Sequence, residues 1–290
     1  MKRNIISVTL FAVLATMAVS CQKDPPTVDT PTEGGSSDTR EMWPAKKISH
    51  IVHSVGTFDY FTYDFTWEGK LLKEISCTMY DGTSLGRTVF EYNDGRVVRV
   101  YPYDGAGTAY TCGAMHYHYD SDGRLERQTF LLPLLFTDNL CQQTYDSVVS
   151  CELVYSYAEN GHVSTVQANK TADDGSVETN TYLFEWDGGN VISISCDGQP
   201  ILSNMQYDSN PNPMRFPMGM ETMSVTNMIF EGVLGNSVIF LAYAMCWNEN
   251  NMTTLLSNNA QCSYAYDPDG YPISKTITMG GETTIYHFTY

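Results

Sequence analysis

This chain reads as all-β: a single large curved antiparallel meander sheet or partial barrel, built from hairpin repeats and interrupted by one loop or short-helix insertion. Three features lead there. Apolar residues alternate with polar ones instead of recurring at helical spacing. A short unit with fixed punctuation returns six times, and its glycines fall where tight hairpin loops need positive φ. The chain's 290 residues suffice for one large all-β domain with a sizeable core, and its 42% hydrophobic content separates it from disordered sequences.

Taken in order, the first element is an address. Lys2 and Arg3 precede an apolar run from Ile5 to Val19 that is too short for a stable membrane span and is followed at once by polar sequence, so residues 1–20 read as a secretory leader. Ala18-Val19-Ser20-Cys21 resembles a bacterial lipobox, which implies cleavage before Cys21 and acylation of that cysteine. Gln22-Lys23-Asp24 resembles the short export signal of Bacteroides-type lipoproteins. Residues 21–45 hold Pro, Thr, Gly, Ser and acids with almost nothing apolar, the composition of a disordered, lipidated tether. These readings place the protein in the outer membrane by its lipid anchor, exposed at the cell surface, with the periplasmic face as the other leaflet.

Residues 46–290 form the β-repeat domain. In Phe61-Thr62-Tyr63-Asp64-Phe65-Thr66-Trp67 every second residue is aromatic, giving a dry face and a wet one. The repeating unit is aromatic-x-aromatic, a few turn residues, Gly, often a base, then an aliphatic. It runs Phe65-Thr66-Trp67-Glu68-Gly69-Lys70-Leu71, then Phe90 to Val97, Tyr117 to Leu125, Tyr155 to Val163, Phe184 to Val191, and more loosely Tyr264 to Tyr271. The residues between the paired aromatics (Thr66, Glu91, His118, Ser156 and Glu185) are polar, which assigns them to the wet face. The spacing of the glycines holds two strands and two turns, so each repeat is a hairpin and successive hairpins give a meander.

One stretch departs from this rhythm. Tyr207 to Ile239 opens with Asp208-Ser209-Asn210-Pro211-Asn212-Pro213, which no central strand tolerates, and continues with Met214, Met218, Met220, Met223 and Met228. It reads as an insertion near 208–236, a loop with a short helix over 221–234 packed over the dry face or across one end of the sheet, whose methionines serve as core filler, with an adaptable binding groove as the alternative. Ser237 to Trp247 returns as an apolar strand.

Tyr119-Asp120-Ser121-Asp122-Gly123-Arg124-Leu125 resembles the tyrosine-aspartate (YD) repeat of bacterial surface shells and secreted toxins. The whole domain is more similar to a Bacteroides-type lipoprotein family of unknown function with a porin-like curved β-sheet fold. The lipobox, tether, hairpin units, Asn210-Pro211-Asn212-Pro213 and the closing Tyr286-His287-Phe288-Thr289-Tyr290 carry the likeness. It implies a curved antiparallel sheet and no activity.

Several residues invite chemistry. His116 and His118 share a strand face, with His162 or His287 as a third metal ligand from elsewhere, but two unsupported ligands favour ordinary wet-face residues, and no metal is assigned. His50 and His53 make no ligand spacing. Asp120-x-Asp122-Gly123 and Asp267-x-Asp269-Gly270 lack the remaining ligands of a calcium loop and fit turn chemistry. Beyond Cys21, seven cysteines (77, 112, 141, 151, 196, 246 and 262) leave one unpaired. The sequence predicts mostly core thiols, one or two cross-strand bridges and no catalytic cysteine.

Charge and motif set the functional expectation. Sixteen Lys+Arg face 33 Asp+Glu, −17 net, which excludes a nucleic-acid footprint; loss of the leader leaves 14 bases against 33 acids, −19 net. No phosphate loop, Gly-x-Ser-x-Gly or His-Glu-x-x-His motif occurs, and no catalytic residue or cofactor is assigned. The expectation is a membrane-anchored, non-catalytic binding lipoprotein whose Tyr- and Trp-containing wet face takes a glycan or a cell-surface protein. The alternative is an envelope carrier sheltering an apolar ligand in the curved sheet. A glycan-active enzyme stands third, since no acid pair is singled out.

Overall fold

The computed structural model describes residues 46–56, 58–108, 114–137, 143–172, 174–215, 247–255, 260–279 and 281–290. Cys21 with the whole 1–45 leader and tether, Cys112, Cys141, Cys246, the later methionines of the insertion, and the helix expected over 221–234 lie outside these residues.

The strands are β1 (His50–Val55), β2 (Phe58–Glu68), β3 (Leu71–Met79), β4 (Ser84–Asn93), β5 (Arg96–Asp104), β6 (Met115–Tyr119), β7 (Leu125–Thr137), β8 (Gln143–Tyr157) and β9 (Val163–Thr171). They continue as β10 (Val177–Asp187), β11 (Asn190–Cys196), β12 (Gln199–Leu202), β13 (Gln206–Pro211), β14 (Asn250–Leu255), β15 (Ala260–Tyr266), β16 (Pro272–Met279) and β17 (Glu282–Thr289). All belong to one 17-stranded sheet. The antiparallel registers order them β13-β14-β15-β16-β17-β1-β2-β3-β4-β5-β6-β7-β8-β9-β10-β11-β12. The meander expected from the repeats is therefore present, with β1 joining its two ends in sequence.

That order forces curvature. In a flat sheet with strands about 4.8 Å apart, β12 and β13 would lie roughly 75 Å from each other. Only Ser203, Asn204 and Met205 separate them, a link of at most about 14 Å. The sheet therefore curls until its outer strands meet. β12 pairs with β11 and β13 with β14, so the two strands are halves of one bent segment that leans first one way and then the other. Asn204, with φ 55°, marks the bend, and Met205 N still donates to Ile192 O at 3.2 Å. The backbone ladder itself stays open at this seam.

Gln206–Pro211 corrects the expectation of a loop at Asp208. It forms a strand whose Pro211 stands opposite Asn250, because its register is broken by two irregularities and ladder donation is not required at the proline. Met205-x-Tyr207 is thus a further copy of the repeat, hidden from sequence reading by the prolines that follow.

The inward side chains form one apolar cluster among the described residues, from Ile48 and Leu72 through Phe90, Val100 and Val166 to Tyr182 and Ile194, all almost inaccessible. The interior of the curl is a packed core, which accounts for the strict alternation along each strand.

The repeat unit has a mechanical meaning. In six hairpins the register shifts by one residue just before the second aromatic: at Thr66/Trp67, Glu91/Tyr92, His118/Tyr119, Ser156/Tyr157, Glu185/Trp186 and Ala265/Tyr266. Such a bulge re-aims the side chain that follows it. In five of the six the second aromatic turns its polar atom onto a backbone carbonyl near the start of the neighbouring strand, while Tyr266 donates to Asp208 instead. Trp67 Nε1 donates to Ile48 O at 2.8 Å, Tyr119 OH to Val97 O at 2.7 Å, Tyr157 OH to Leu125 O at 2.7 Å, Trp186 Nε1 to Val163 O at 2.8 Å and Tyr290 OH to Pro272 O at 2.9 Å. Tyr92 and Tyr207 make the same bond to Leu72 and Val191.

The base of the unit covers the same ring. Arg96 lies 5.7 Å from the Tyr119 centroid, Arg124 5.2 Å from Tyr157 and Lys47 5.5 Å from Trp67, while His162 stacks on Trp186 at 4.4 Å. Each such hydrogen bond adds about 0.5–1.5 kcal/mol, and each Lys or Arg over a ring about 0.5–1 kcal/mol. Gly-base-aliphatic followed by a later aromatic is therefore the signature of a clasp at one rim of the curl.

The turns are built by aspartate. Asp120 Oδ1 accepts from the backbone N of Asp122 at 3.0 Å and of Arg124 at 2.8 Å, and Gly123, with φ 80°, donates to Asp120 O at 3.0 Å. Asp267 repeats the pattern with Asp269 N and Tyr271 N, both at 2.9 Å. These backbone bonds and Arg124 hold the Asp120 carboxyl below the usual range, and the salt bridge to Lys46 does the same for Asp267. Both segments are turns, as the sequence indicated.

Candidate functional site

The outer face places most of the residues the sequence singled out. His116 stands opposite Arg99 and Thr129, and His118 opposite Arg127. Burial, Arg99 and His118 lower the pKa of His116, the reverse of what a metal-ready cluster of acids would do. His162 is stacked on Trp186, and His287 faces Val52 and Ser274 on other strands, so neither joins the pair. Among the described residues no group of three metal-ligating side chains forms. His50 Nδ1 is 2.7 Å from Asp64, and His53 stacks on Tyr286 at 4.7 Å, where burial lowers its pKa to about 4.

The register also lays Glu91, Arg99, His116, Thr129, Glu152, Asn169 and Thr179 in one row across the outer face. Arg127 bonds Glu152 at 3.2 Å, Asn169 bonds Glu152 at 3.3 Å, and Thr179 bonds Asn169 at 2.9 Å. Within the row, Arg99 pairs with Glu91 at 3.9 Å, and Glu152, Asn169 and Thr179 are linked side chain to side chain. The repeat aromatics point inward, which corrects the expectation of a Tyr- and Trp-bearing wet face: alternation puts them opposite the polar residues. Tyr101 and Tyr103 do lie outside, each engaged by an arginine, Arg99 at 3.4 Å and Arg87 at 4.6 Å.

The four described cysteines (Cys77, Cys151, Cys196 and Cys262) are free thiols, so the expected cross-strand bridges are not made among them. Each lies on a strand beside an aromatic or aliphatic partner rather than another cysteine, Cys77 opposite Tyr63 and Cys262 opposite Ile277. Burial pushes Cys77 and Cys151 up to about 12, as it does for core thiols.

The seam is different. Where the ladder stays open, asparagine side chains take over. Val191 N donates to Asn248 Oδ1 at 2.7 Å, Asn190 Nδ2 to Asn250 Oδ1 at 2.9 Å, and Asn248 Nδ2 to Tyr207 OH at 3.0 Å. Asn251 Nδ2 reaches the Asp208 carboxylate and the carbonyls of Asn210 and Pro211 at 3.2 and 3.3 Å. Tyr266 OH donates to Asp208 as well. Asn248 and Asn251 are almost fully buried, so this polar network exists because the edges of the sheet must be satisfied away from water.

Behind the network lies a narrow cleft of about 30 Å³ that opens to solvent, lined by asparagines of the network, Met214, Met252, Tyr264, Phe288 and Lys275. Met214, the one described methionine of the insertion's start, is half-buried there. Lys275 is 8% exposed. Its strand neighbours are Tyr264 and Tyr286, its Nζ is 5.8 Å from the Tyr264 ring, and burial lowers its pKa. Among the described residues no carboxylate pairs with it.

Sequence reasoning passed over Lys275, yet the repeat exposes it. The residue opposite the first aromatic of each unit is Ile75 facing Phe65, Val100 facing Phe90, Val166 facing Tyr155 and Ile194 facing Phe184. Two units depart. Gln128 faces Tyr117, and Lys275 faces Tyr264. Gln128 is fully buried and compensated: its Oε1 accepts from Tyr155 OH at 2.8 Å, and its Nε2 lies 3.1 Å from the Met115 sulfur. Lys275 has no such partner set. Alignment of the units on their glycines would have found it, because both polar residues stand five positions after Gly123 and Gly270.

No family model matches the sequence, and no curated protein matches it. Two solved structures are similar in outline. A porin-like protein from Bacteroides uniformis is 12% identical over 85% of this chain and 99% of its own, at a TM-score of 0.35. A porin-like protein from Bacteroides vulgatus is 12% identical over 84% of this chain and 98% of its own, at a TM-score of 0.37. At this identity and TM-score the likeness carries no functional argument.

Proposed function

We propose that the protein is a non-catalytic binding lipoprotein, anchored in the outer membrane through Cys21 and displayed at the cell surface, that engages its partner at the seam cleft. The carrying observation is Lys275, nine-tenths buried, lining the cleft and without a carboxylate partner among the described residues, while the asparagines beside it are already bonded. A polar group held this way stabilises nothing in the free protein and is available to a ligand. The cleft suits a small substituent of a glycan or of a cell-surface protein. A carrier of a large apolar ligand is disfavoured by the side chains that fill the curl.

The full chain, displayed on cells and cross-linked to its neighbours, tests this. Capture of a glycan or protein that is lost when Met214→Trp fills the cleft supports the reading. Capture that is indifferent to that substitution, or a mature chain bearing no acyl mass at Cys21, contradicts it.

A further inference from the structure

The ligand's chemistry can be taken one step further, resting on the reading of the cleft as a binding site. We propose that Lys275 anchors a carboxylate whose apolar stem lies against Met252, Tyr264 and Phe288.

Every other unit of the repeat either fills the position opposite its first aromatic with an aliphatic residue or, at Gln128, surrounds the polar group with tyrosine hydroxyls and a sulfur. Lys275 has neither solution. Its strand neighbours are aromatic, its Nζ lies 5.8 Å from the Tyr264 ring, and the Cys262 thiol is the one titratable group that acts on it among the described residues. Burial lowers its pKa in this state, and an anion brought beside it would reverse that shift.

The cleft also selects the anion. Arg215 follows Met214 in the chain but is not a lining residue, and its guanidinium pairs with Glu249 at 3.1 Å while its Nε is buried without a hydrogen-bond partner. That leaves Lys275 as the one cation of the lining, which matches a single negative charge and gives a dianionic phosphate nothing further to pair with. The asparagine carboxamides are tied into the seam, Asn251 to Asp208 and Asn248 to Tyr207 and Val191. The rest of the lining is Met252, Met214, Phe288 and two prolines, surfaces that take a hydrocarbon rather than a sugar ring's hydroxyls. A short monocarboxylate with an apolar body satisfies both halves.

The probe is sodium hexanoate, titrated calorimetrically into the full mature chain, with 1-hexanol as its neutral match. Hexanoate should bind saturably and hexanol should not. Lys275→Met, which keeps the stem and removes the charge, should weaken hexanoate at least about tenfold. Lys170→Met, at a distant exposed ion pair with Glu178, should leave it unchanged. A denaturation midpoint for Lys275→Met at or above that of the parent chain shows that the variant folds. Equal hexanoate affinity in Lys275→Met, equal binding of hexanol, or no saturable hexanoate binding in the millimolar range overturns the proposal. Any of these outcomes combined with cleft-dependent partner capture on cells separates failure of the carboxylate assignment from failure of the binding-protein reading.

Discussion

Replacing Gln128 with isoleucine makes the unit conform to its own repeat, and the result should be a less stable protein. Gln128 is fully buried on β7, where it faces Tyr117 and accepts from Tyr155 OH at 2.8 Å. Isoleucine fits the space, as Ile75 and Ile194 do at the same station, but removes the acceptor that the Tyr155 hydroxyl uses. Desolvating that hydroxyl without compensation costs about 1–3 kcal/mol, and the lost contacts of Nε2 to the Met115 sulfur and Tyr117 OH add to it. The triple variant Tyr117→Phe, Gln128→Ile, Tyr155→Phe removes both sides of the network and restores the Phe-facing-Ile pairing of the other units. It should regain the loss to within about 1 kcal/mol of the parent, because replacing all partners with apolar groups is nearly neutral. Urea denaturation followed by tryptophan fluorescence reads all three proteins. A single variant within about 0.5 kcal/mol of the parent, or a triple variant no better than the single, refutes the repeat-position reasoning.

Four further outcomes follow from the same geometry. Tyr157→Phe deletes the bond to Leu125 O and should cost about 1 kcal/mol in urea denaturation, whereas a neutral result would show that the rim clasps are ornamental. Lys275→Met should raise stability by about 1–4 kcal/mol near neutral pH. Because burial holds the Lys275 pKa below that of the unfolded chain, the parent gains stability as pH rises toward 10.5, and the gap between the two should narrow in alkaline urea titrations. His53, held near 4, takes its proton later than the unfolded chain does, so the parent should lose about 2 kcal/mol between pH 6.5 and pH 4 that His53→Phe does not lose. Cys77 and Cys151, pushed up to about 12, should resist iodoacetamide in the folded protein and react on unfolding, with site-resolved mass spectrometry as the readout.

Much of the fold was legible in the sequence because it is periodic. Alternation in Phe61 to Trp67 assigned the two faces, and Asp120 to Leu125 announced both its turn and its hairpin. The clasp was half legible. The base and the aliphatic were visible as a pattern, but their partner aromatic lies at the far end of the same hairpin, and the bulge that aims it leaves no local mark. The seam was not legible at all, since Asp208 to Pro213 carries every sign of a loop and becomes a strand only because the curl brings Asn250 and Asn251 against it. Lys275 sat in a strand of ordinary composition. Its significance rests on burial and on the missing partner, which single-residue reading does not reach.

One station of the packing repeat holds Lys275, a buried amine that lines a cleft and has no carboxylate partner among the described residues. The direct measurement is nitrogen-detected NMR of lysine side chains in the full chain across a pH titration. One resonance, absent from Lys275→Met, should lose its proton below the others and shift back upward when hexanoate is added. Lysines that all titrate together in the ordinary range, with or without the carboxylate, would contradict it.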